Sequence, residues 1–308
     1  MRGVVSAGMV AALEQLGLLP VFDYVYGSSA GAINGAFFTA GQAGFGTTIY
    51  YENINNKQFI DYRRALSRRP ILDLDFLVWN VMKGPKCLDT AAVLQSATKL
   101  RAVATSTVSG DRRVFGDWTN GDDLLACLRA GASMPVLAGA PYIYRQESYW
   151  DALLSEPIPA RVAEQDGCTH LMVLLTRPGG TPGPRVSLVE RLFVVPRVRA
   201  VSAALVARYQ ARAREYIELL ERLQSGRGPG GTAAVLPTAP SGPTVAKLEQ
   251  RRGFLIAGAQ AGIQAVLDVF GLSADSSAGI LTPPGHDGRR VFAGMHPELF
   301  DAVAVAKQ

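Results

Sequence analysis

The spacing of apolar and polar residues at the start of the chain predicts a helix, a strand and a second helix. Val4 to Leu16 carries apolar residues at helical spacing, and Gly17 supplies a C-terminal stop. Val21–Tyr26 is rich in β-branched and aromatic residues, which is typical of a short buried strand. Ala30–Phe38 is small on one side and apolar on the other, as a helix packed closely on a sheet requires.

Further along, the same pattern predicts more strands and one well-capped helix. Lys99–Thr107 is typical of a strand, and Arg113–Phe115 begins a return strand after a turn. A helix is predicted from Asp122 to Ala130 with its N-cap between Asn120 and Asp122. His170–Thr176 is nearly continuous in large apolar residues, so we expect it to be a buried strand.

Composition narrows the class of protein. With 308 residues, 48% of them hydrophobic and 19% charged, the chain can form one large α/β domain or a domain with an appendage. A net charge of +5 is mild for this length and gives no reason to expect nucleic acid as a partner. The basic pairs Arg63-Arg64 and Arg68-Arg69 fit a solvated surface or contact with anionic lipid headgroups.

The cysteines and the N-terminus indicate a cytoplasmic protein, at most peripheral at a membrane. Cys87, Cys127 and Cys168 are far apart and odd in number, which favours reduced thiols; we expect neither a metal nor a cofactor. The N-terminus superficially resembles a signal peptide, but Glu14 closes its apolar run early. No uninterrupted run long enough to span a bilayer occurs.

The stretch Gly27-Ser28-Ser29-Ala30-Gly31 fits the pattern G-x-S-x-G between a predicted strand and a predicted helix. In that context Ser29 is the candidate nucleophile, and a glycine–serine turn without chemistry is the alternative. We expect glycine to be required at positions 27 and 31, because a Cβ on Gly27 or Gly31 would collide with the adjoining strand and helix. The helix N-terminus after Ser29 offers partial positive charge to an oxyanion.

Two more landmarks complete a resemblance to the patatin-like phospholipases. Leu128-Arg-Ala-Gly-Ala-Ser-Met-Pro135 is similar to the A-S-x-x-x-P segment that precedes the acidic motif of that family. Tyr149-Trp-Asp-Ala-Leu153, followed by Pro157-Ile-Pro159, is similar to the D-G-G or D-G-A motif and its downstream proline. The resemblance spans roughly residues 1 to 180.

That resemblance implies a fold, a reaction and a set of site residues. The fold would be a three-layer α/β/α architecture with a central, mostly parallel sheet and a helical C-terminal region. Ser29 would be the nucleophile and Asp151 the base of a Ser-Asp dyad that releases fatty acids from lipid esters, so we expect the two side chains within hydrogen-bonding reach. The oxyanion hole and elbow would involve Arg2, Gly3, Gly27, Ala30 and Gly31.

The chain departs from the family pattern at two positions. Ala152 stands where the family has glycine, which would cost roughly 1 kcal/mol or more if the backbone there has positive φ. Met1-Arg2-Gly3 matches only the end of the glycine-rich oxyanion loop, G-G-G-x-(K/R)-G. We therefore expect the natural reading frame to carry an upstream strand that ends in this loop.

Two alternatives stay open at this point. One is an α/β-hydrolase that uses a triad of Ser29, an acid and His286; the other is a non-catalytic lipid-binding or interaction protein on a decayed patatin-like scaffold. The resemblance and the composition together predict a catalytic domain over 1–180 and a helical extension over 181–224, broken near Pro196. A Gly/Pro-rich linker over 225–244 and a C-terminal helical segment with a loose tail over 245–308 would follow.

Overall fold

The computed structural model describes residues 1–67, 69–178, 192, 194–242 and 244–272. Their helices are α1 (Val4–Gln15), α2 (Ala30–Thr39), α3 (Ala43–Thr47), α4 (Ile49–Glu52), α5 (Thr90–Gln95), α6 (Gly121–Gly131), α7 (Ala160–Gln165), α8 (Val195–Val201), α9 (Ala203–Gln224) and α10 (Arg252–Val269). Their strands are β1 (Tyr24–Ser28), β2 (Lys99–Ser106), β3 (Arg112–Phe115), β4 (Tyr142–Tyr144), β5 (Glu147–Asp151), β6 (His170–Leu174) and β7 (Ala234–Thr238). None of the helices described is long and apolar enough to cross a bilayer.

The main sheet has five strands and is mixed. β1 runs parallel to β2, as expected, whereas β3 and β5 are antiparallel to β2, and β4 is antiparallel to β5. Short connections explain the antiparallel pairs β2–β3 and β4–β5, because a tight turn can only return the chain alongside itself. Arg145 and Gln146 join β4 to β5 with positive φ at both residues, the backbone that suits a two-residue hairpin.

Helices cover both faces of this sheet, so the predicted α/β/α architecture is confirmed. On one face, Leu100, Ala102 and Ala104 belong to the largest apolar core, which also contains buried residues of α1, α2, α6 and α10. On the other face, Trp150 of β5 packs in a smaller core with residues of α8 and α9. The sheet is therefore the middle layer of three.

Local signals in the sequence account well for the elements around the site. The strand, elbow and helix are present as β1 and α2, and α1 ends before Gly17, whose φ is +69°. The Asn120 side chain accepts the Asp123 N–H at 3.0 Å and so caps α6. β1 begins later than expected, at Tyr24, because Pro20 lies in a short 3₁₀ turn.

The prediction of a buried strand at His170–Thr176 was wrong for most of its residues. β6 is only partly buried and pairs in parallel with β7 in a separate two-stranded sheet. β7 itself lies within 225–244, so this segment is not simply a linker. Its short run Ala234-Val-Leu-Pro-Thr238 brings Val235 into an apolar cluster with Leu219 and Leu223 of α9. The strand was not predicted because the glycines and prolines around this run are typical of a linker.

The break in the helical extension lies at Ser202 rather than at Pro196. Pro196 occupies the first turn of α8, where a missing N–H costs no helical hydrogen bond. Ser202 has extended backbone, with φ −158° and ψ 127°, and it separates α8 from α9. Residues 181–191 and 193 of the predicted extension lie outside the described residues, as do residues 273–308 of the predicted C-terminal segment and tail.

α10 crosses α1 at glycines on both helices. A Cβ on Gly8 would lie 2.1 Å from the Ala259 carbonyl oxygen, and one on Gly262 would lie 2.0 Å from the Val5 carbonyl oxygen. Backbone therefore touches backbone at this crossing, which only glycine permits. Residues 252–269 are consequently part of the core around α1 rather than a separate helical segment.

We expect Gly262→Ala to destabilise the protein by about 1–3 kcal/mol, because its methyl group must push α10 away from α1. Gly253→Ala in the same helix is the matched control, since nothing lies within 4 Å of its Cβ position. In an exposed helix the control should be neutral or stabilising by up to about 1 kcal/mol. Urea unfolding followed by circular dichroism measures both, and equal midpoints for the two variants would contradict the close crossing.

Candidate active site

The site forms where two strands meet on one edge of β2. Ala104 pairs with Arg113 of β3 on one side and with Asp151 of β5 on the other. Ser28, the last residue of β1, pairs with Val103, which also has a β3 partner. β1 and β5 therefore share one edge of β2 and approach each other end to end. Their last residues oppose consecutive residues of β2, about 3.8 Å apart.

Ser29 lies at the sharp turn between β1 and α2. Its φ of 55° and ψ of −127° are outside the regions that L-residues normally occupy. Such a conformation costs on the order of 1–3 kcal/mol, and here it directs the side chain away from the strand end. The turn geometry is that of a nucleophile elbow.

The Ser29 hydroxyl donates a hydrogen bond to Asp151 Oδ2 at 2.5 Å. The other carboxylate oxygen, Oδ1, accepts the Leu153 N–H at 2.8 Å. The backbone of Asp151 is fixed as well, because its N–H donates to the Ser133 carbonyl and its carbonyl accepts from the Thr105 hydroxyl. The expected proximity of Ser29 and Asp151 is thus present, and each carboxylate oxygen accepts a hydrogen bond.

Burial gives this carboxyl group an unusual proton affinity. Asp151 is fully buried, and the loss of hydration raises its pKa to about 6. The hydrogen bonds from Ser29 and Leu153 and the positive charge of Lys247 oppose the shift but do not cancel it. A carboxylate in this state accepts a proton far more readily than an exposed aspartate does.

Ala152 is compatible with this arrangement. It begins a 3₁₀ turn, Ala152–Leu154, and is not among the described non-glycine residues with positive φ. Its methyl group is completely buried, so the position demands a small residue but not glycine. The strain expected at this departure from the family pattern is absent.

The two elbow glycines differ in whether their surroundings leave room for a side chain. A Cβ on Gly27 would lie 2.4 Å from Cα of Ala32, so the contact between strand and helix requires glycine there. A Cβ on Gly31 would meet nothing within 4 Å, and the expectation of a collision at Gly31 was wrong. Because Gly31 is in the first turn of α2, the open space lies directly beside Ser29.

Gly3 lies against Ala30, so two predicted oxyanion residues are neighbours. A Cβ on Gly3 would lie 2.6 Å from the Ala30 Cβ. The Gly3 carbonyl accepts from Asn34 Nδ2 at 2.8 Å, and Asn34 Oδ1 accepts from the Tyr50 hydroxyl at 3.0 Å. Sequence reasoning overlooked Asn34 and Tyr50, although a buried amide within the small apolar run of α2 was an available signal.

Arg2 has a different environment from the other predicted oxyanion residues. Its Nε donates to the Val245 carbonyl at 3.0 Å, so the side chain binds the segment that leads into α10. Burial and the nearby charge of Arg177 lower its pKa. The same segment carries Lys247, whose charge acts on Asp151. Neither Arg177 nor Lys247 lies in a motif that the sequence analysis recognised.

Other candidate groups are not part of this constellation. His286 of the alternative triad lies outside the described residues, and the Nδ1 of His170 is hydrogen-bonded to the Thr169 hydroxyl instead. The described part of the chain contains no group of three or more His, Cys, Asp or Glu side chains suited to a metal ion. A cavity of about 500 Å³ lies among α7, α9 and the loop around Gly230, and neither Ser29 nor Asp151 lines it.

Comparison with known proteins supports the family resemblance. Residues 1–164 match the family described as Patatin-like phospholipase, which is more than half of the chain. The chain belongs to the patatin-like phospholipase family. The match contains the elbow, the segment that holds Ser133, and Asp151.

A curated relative is similar to somewhat more than half of this chain. The uncharacterized protein YjjU of Escherichia coli strain K12 is 26% identical over 178 residues, which cover 58% of this chain and 49% of the relative. This chain therefore spans about half the length of that relative.

We expect Asp151→Asn to stabilise the folded protein at neutral pH. The folded pKa of Asp151, about 6, is above its unfolded value, so the folded state binds more protons between pH ~4 and 6 and loses stability as pH rises. The amide carries no charge and keeps an acceptor for the Leu153 N–H. The gain should be about 1–3 kcal/mol at pH 8 and should shrink toward pH ~4.

Urea unfolding of the wild type and the variant across that pH range measures the difference. A stability difference that does not change with pH would contradict a raised pKa for Asp151. Glu164→Gln provides a contrast, because backbone N–H groups and Thr232 lower the pKa of that carboxyl to about 2 against the effect of desolvation. Its neutralisation should reduce stability above pH ~4, the opposite sign.

Proposed function

We propose that this protein is a serine lipid acyl hydrolase that releases fatty acids from lipid esters through a Ser29–Asp151 dyad. The observation that carries the proposal is the hydrogen bond from the strained Ser29 to a buried carboxylate whose pKa is raised to about 6. Membership of the patatin-like phospholipase family supports a lipid ester as the substrate class.

Acylation begins when Ser29 Oγ attacks the ester carbonyl carbon and Asp151 accepts the hydroxyl proton. The carbonyl oxygen gains the negative charge in the tetrahedral intermediate. When the intermediate collapses, the carbon–oxygen bond to the leaving alcohol breaks and Asp151 returns the proton to that alcohol. The fatty acyl group is left as an ester on Ser29.

Backbone N–H groups are the candidates for stabilising the oxyanion. The N–H of Ala30 begins α2, and that of Gly3 lies in the neighbouring segment; neither donates a hydrogen bond within the described residues. The positive end of the α2 dipole adds to their effect. The network from Asn34 to the Gly3 carbonyl holds the Gly3 peptide in place beside the elbow.

Deacylation repeats the same proton transfers with water. The oxygen of a water molecule attacks the acyl carbon while Asp151 accepts a proton from that water. Asp151 then returns the proton to Ser29 Oγ as the acyl–serine bond breaks. The products are a free fatty acid and the original enzyme. A dyad needs a stronger base than an ordinary aspartate, and the burial of Asp151 provides it without a histidine.

We expect Ser29→Ala to lower ester hydrolysis by about 10³-fold or more while the protein still folds, because the change removes the attacking oxygen. Ser28→Ala is the matched control: its hydroxyl donates to the Glu156 carbonyl at 2.7 Å and takes no part in the reaction. The assay is release of fatty acid from a panel of phospholipids, acylglycerols and soluble esters.

Two outcomes of that assay would contradict the dyad. Undiminished hydrolysis by Ser29→Ala would exclude this nucleophile, and a large loss on changing His286 to alanine would favour a triad. Absence of hydrolysis by the wild type on every substrate would favour the non-catalytic alternative.

The rate should also depend on pH through Asp151. Because Asp151 must be ionised to accept the Ser29 proton, kcat/KM should fall about tenfold per pH unit below its pKa of about 6. A soluble ester substrate and circular dichroism at each pH separate this effect from unfolding. A profile that stays flat down to pH ~4 would show that the base has the pKa of an exposed aspartate.

A further inference from the structure

A loop between Phe59 and Asp73 exposes apolar side chains instead of burying them. Its base is anchored in the core, because Ile60 and Leu72 form a β-bridge and both are buried. The tip is a short 3₁₀ helix, Tyr62–Ser67, in which the Leu66 side chain is 90% exposed and Tyr62 is 55% exposed. The Leu66 side chain therefore contributes almost no hydrophobic free energy to folding.

The loop is held in this shape by its own hydrogen bonds. The Arg63 guanidinium donates to both carboxylate oxygens of Asp61, and the Arg64 guanidinium donates to the Gln58 carbonyl. The Arg69 N–H donates to the Arg64 carbonyl at 2.9 Å. The exposure of Leu66 is thus a property of an organised loop, not of a frayed one.

The start of α10 has the same character. Phe254 is 49% exposed, and the Arg251 guanidinium lies 3.8 Å from the centre of its ring. Arg252 is exposed beside it. The side chain of Gln250 donates to the Ile60 carbonyl at 3.2 Å, so this segment and the loop are neighbours.

Both segments approach the proposed active site. Lys247, whose charge acts on Asp151, precedes Arg251 by four residues, which span at most about 14 Å. On the other side, the Leu72 N–H donates to the Leu137 carbonyl, and Ser133, four residues before Leu137, binds the Asp151 backbone. Both segments that carry the exposed apolar groups are therefore connected to the dyad through a few residues.

A single exposed apolar residue is ordinary on a protein surface. Here three large apolar side chains alternate with arginines on two adjacent segments. Arg63 and Arg251 have acidic partners in Asp61 and Glu249, whereas Arg69 and Arg252 form no ion pair within the described residues, which leaves an excess of positive charge. Apolar groups that penetrate and arginines that bind phosphate are the combination that a surface of anionic phospholipids accommodates.

We propose that Tyr62, Leu66, Arg69, Arg251, Arg252 and Phe254 form a bilayer-docking patch that binds the protein to an anionic phospholipid surface beside its active site. The proposal rests on the proposed function for its purpose, since docking would deliver membrane lipid to Ser29. The docking itself depends only on the patch. It can therefore be measured without catalysis.

The test uses the full chain with Ser29→Ala, so that no lipid is consumed. Its binding to phosphatidylcholine vesicles with about 30 mol% phosphatidylglycerol, and to vesicles of phosphatidylcholine alone, is measured by co-sedimentation. We expect tighter binding to the anionic vesicles. Leu66→Ser should weaken that binding about tenfold, and Arg69→Gln about fivefold.

Matched substitutions elsewhere control for general effects of polarity and charge. Val108→Ser changes an exposed apolar residue in the turn after β2, and Arg214→Gln removes an exposed charge on α9. Both should bind the anionic vesicles within about twofold of the parent. When Leu66→Ser is made in the chain that keeps Ser29, hydrolysis of vesicle lipid should fall, whereas hydrolysis of a soluble short-chain ester should stay unchanged.

Several results would overturn the docking patch. These are equal binding to both kinds of vesicle, no vesicle binding, or binding by Leu66→Ser and Arg69→Gln that matches their controls. A change in self-association of these two variants, measured by size-exclusion chromatography without vesicle binding, would assign the patch to a second copy of the chain. If the wild type hydrolyses no ester at all, the proposed function fails, whereas the vesicle experiment still decides the patch.

Discussion

The site depends on one constraint: a single edge of β2 accommodates two strands that point at each other. β1 arrives parallel to β2 and ends opposite Val103, and β5 arrives antiparallel and ends opposite Ala104. Neither strand can be extended without displacing the other. The chain must therefore turn sharply at both ends, which places Ser29 on one turn and Asp151 on the other. Two residues separated by 122 positions become neighbours through backbone pairing alone.

Both residues of the proposed dyad are held in states that oppose stability. Ser29 has a backbone conformation that L-residues avoid, and Asp151 is a carboxyl group removed from water. The surrounding sheet and helices supply the compensation, since Thr105, Ser133 and Leu153 fix every polar atom of Asp151 that does not face Ser29. Rigidity at this point follows from ordinary hydrogen bonding in a dry environment, where an unpaired group would be costly.

Much of this arrangement could be predicted from the sequence because its signals are local. The elbow, the cap at Asn120 and the glycine after α1 are each encoded within a few residues. The buried strand predicted at His170 was wrong because a run of apolar residues does not reveal which partner covers it. Lys247 and the crossing of α10 over α1 were overlooked for the same reason. Their roles arise from contacts between residues that are remote in the chain.

The contact between α1 and α10 has a consequence for how the protein is made. Val4, Val5 and Met9 are almost completely buried, and the glycines that complete their environment lie about 250 residues later. At a synthesis rate of about 5–20 residues per second, α1 emerges from the ribosome roughly 10–50 s before α10 exists. During that interval the apolar surface of α1 lacks its final partner, while Gly3 and the elbow are already present. The core around α1 is therefore completed only late in synthesis, after α10 has emerged.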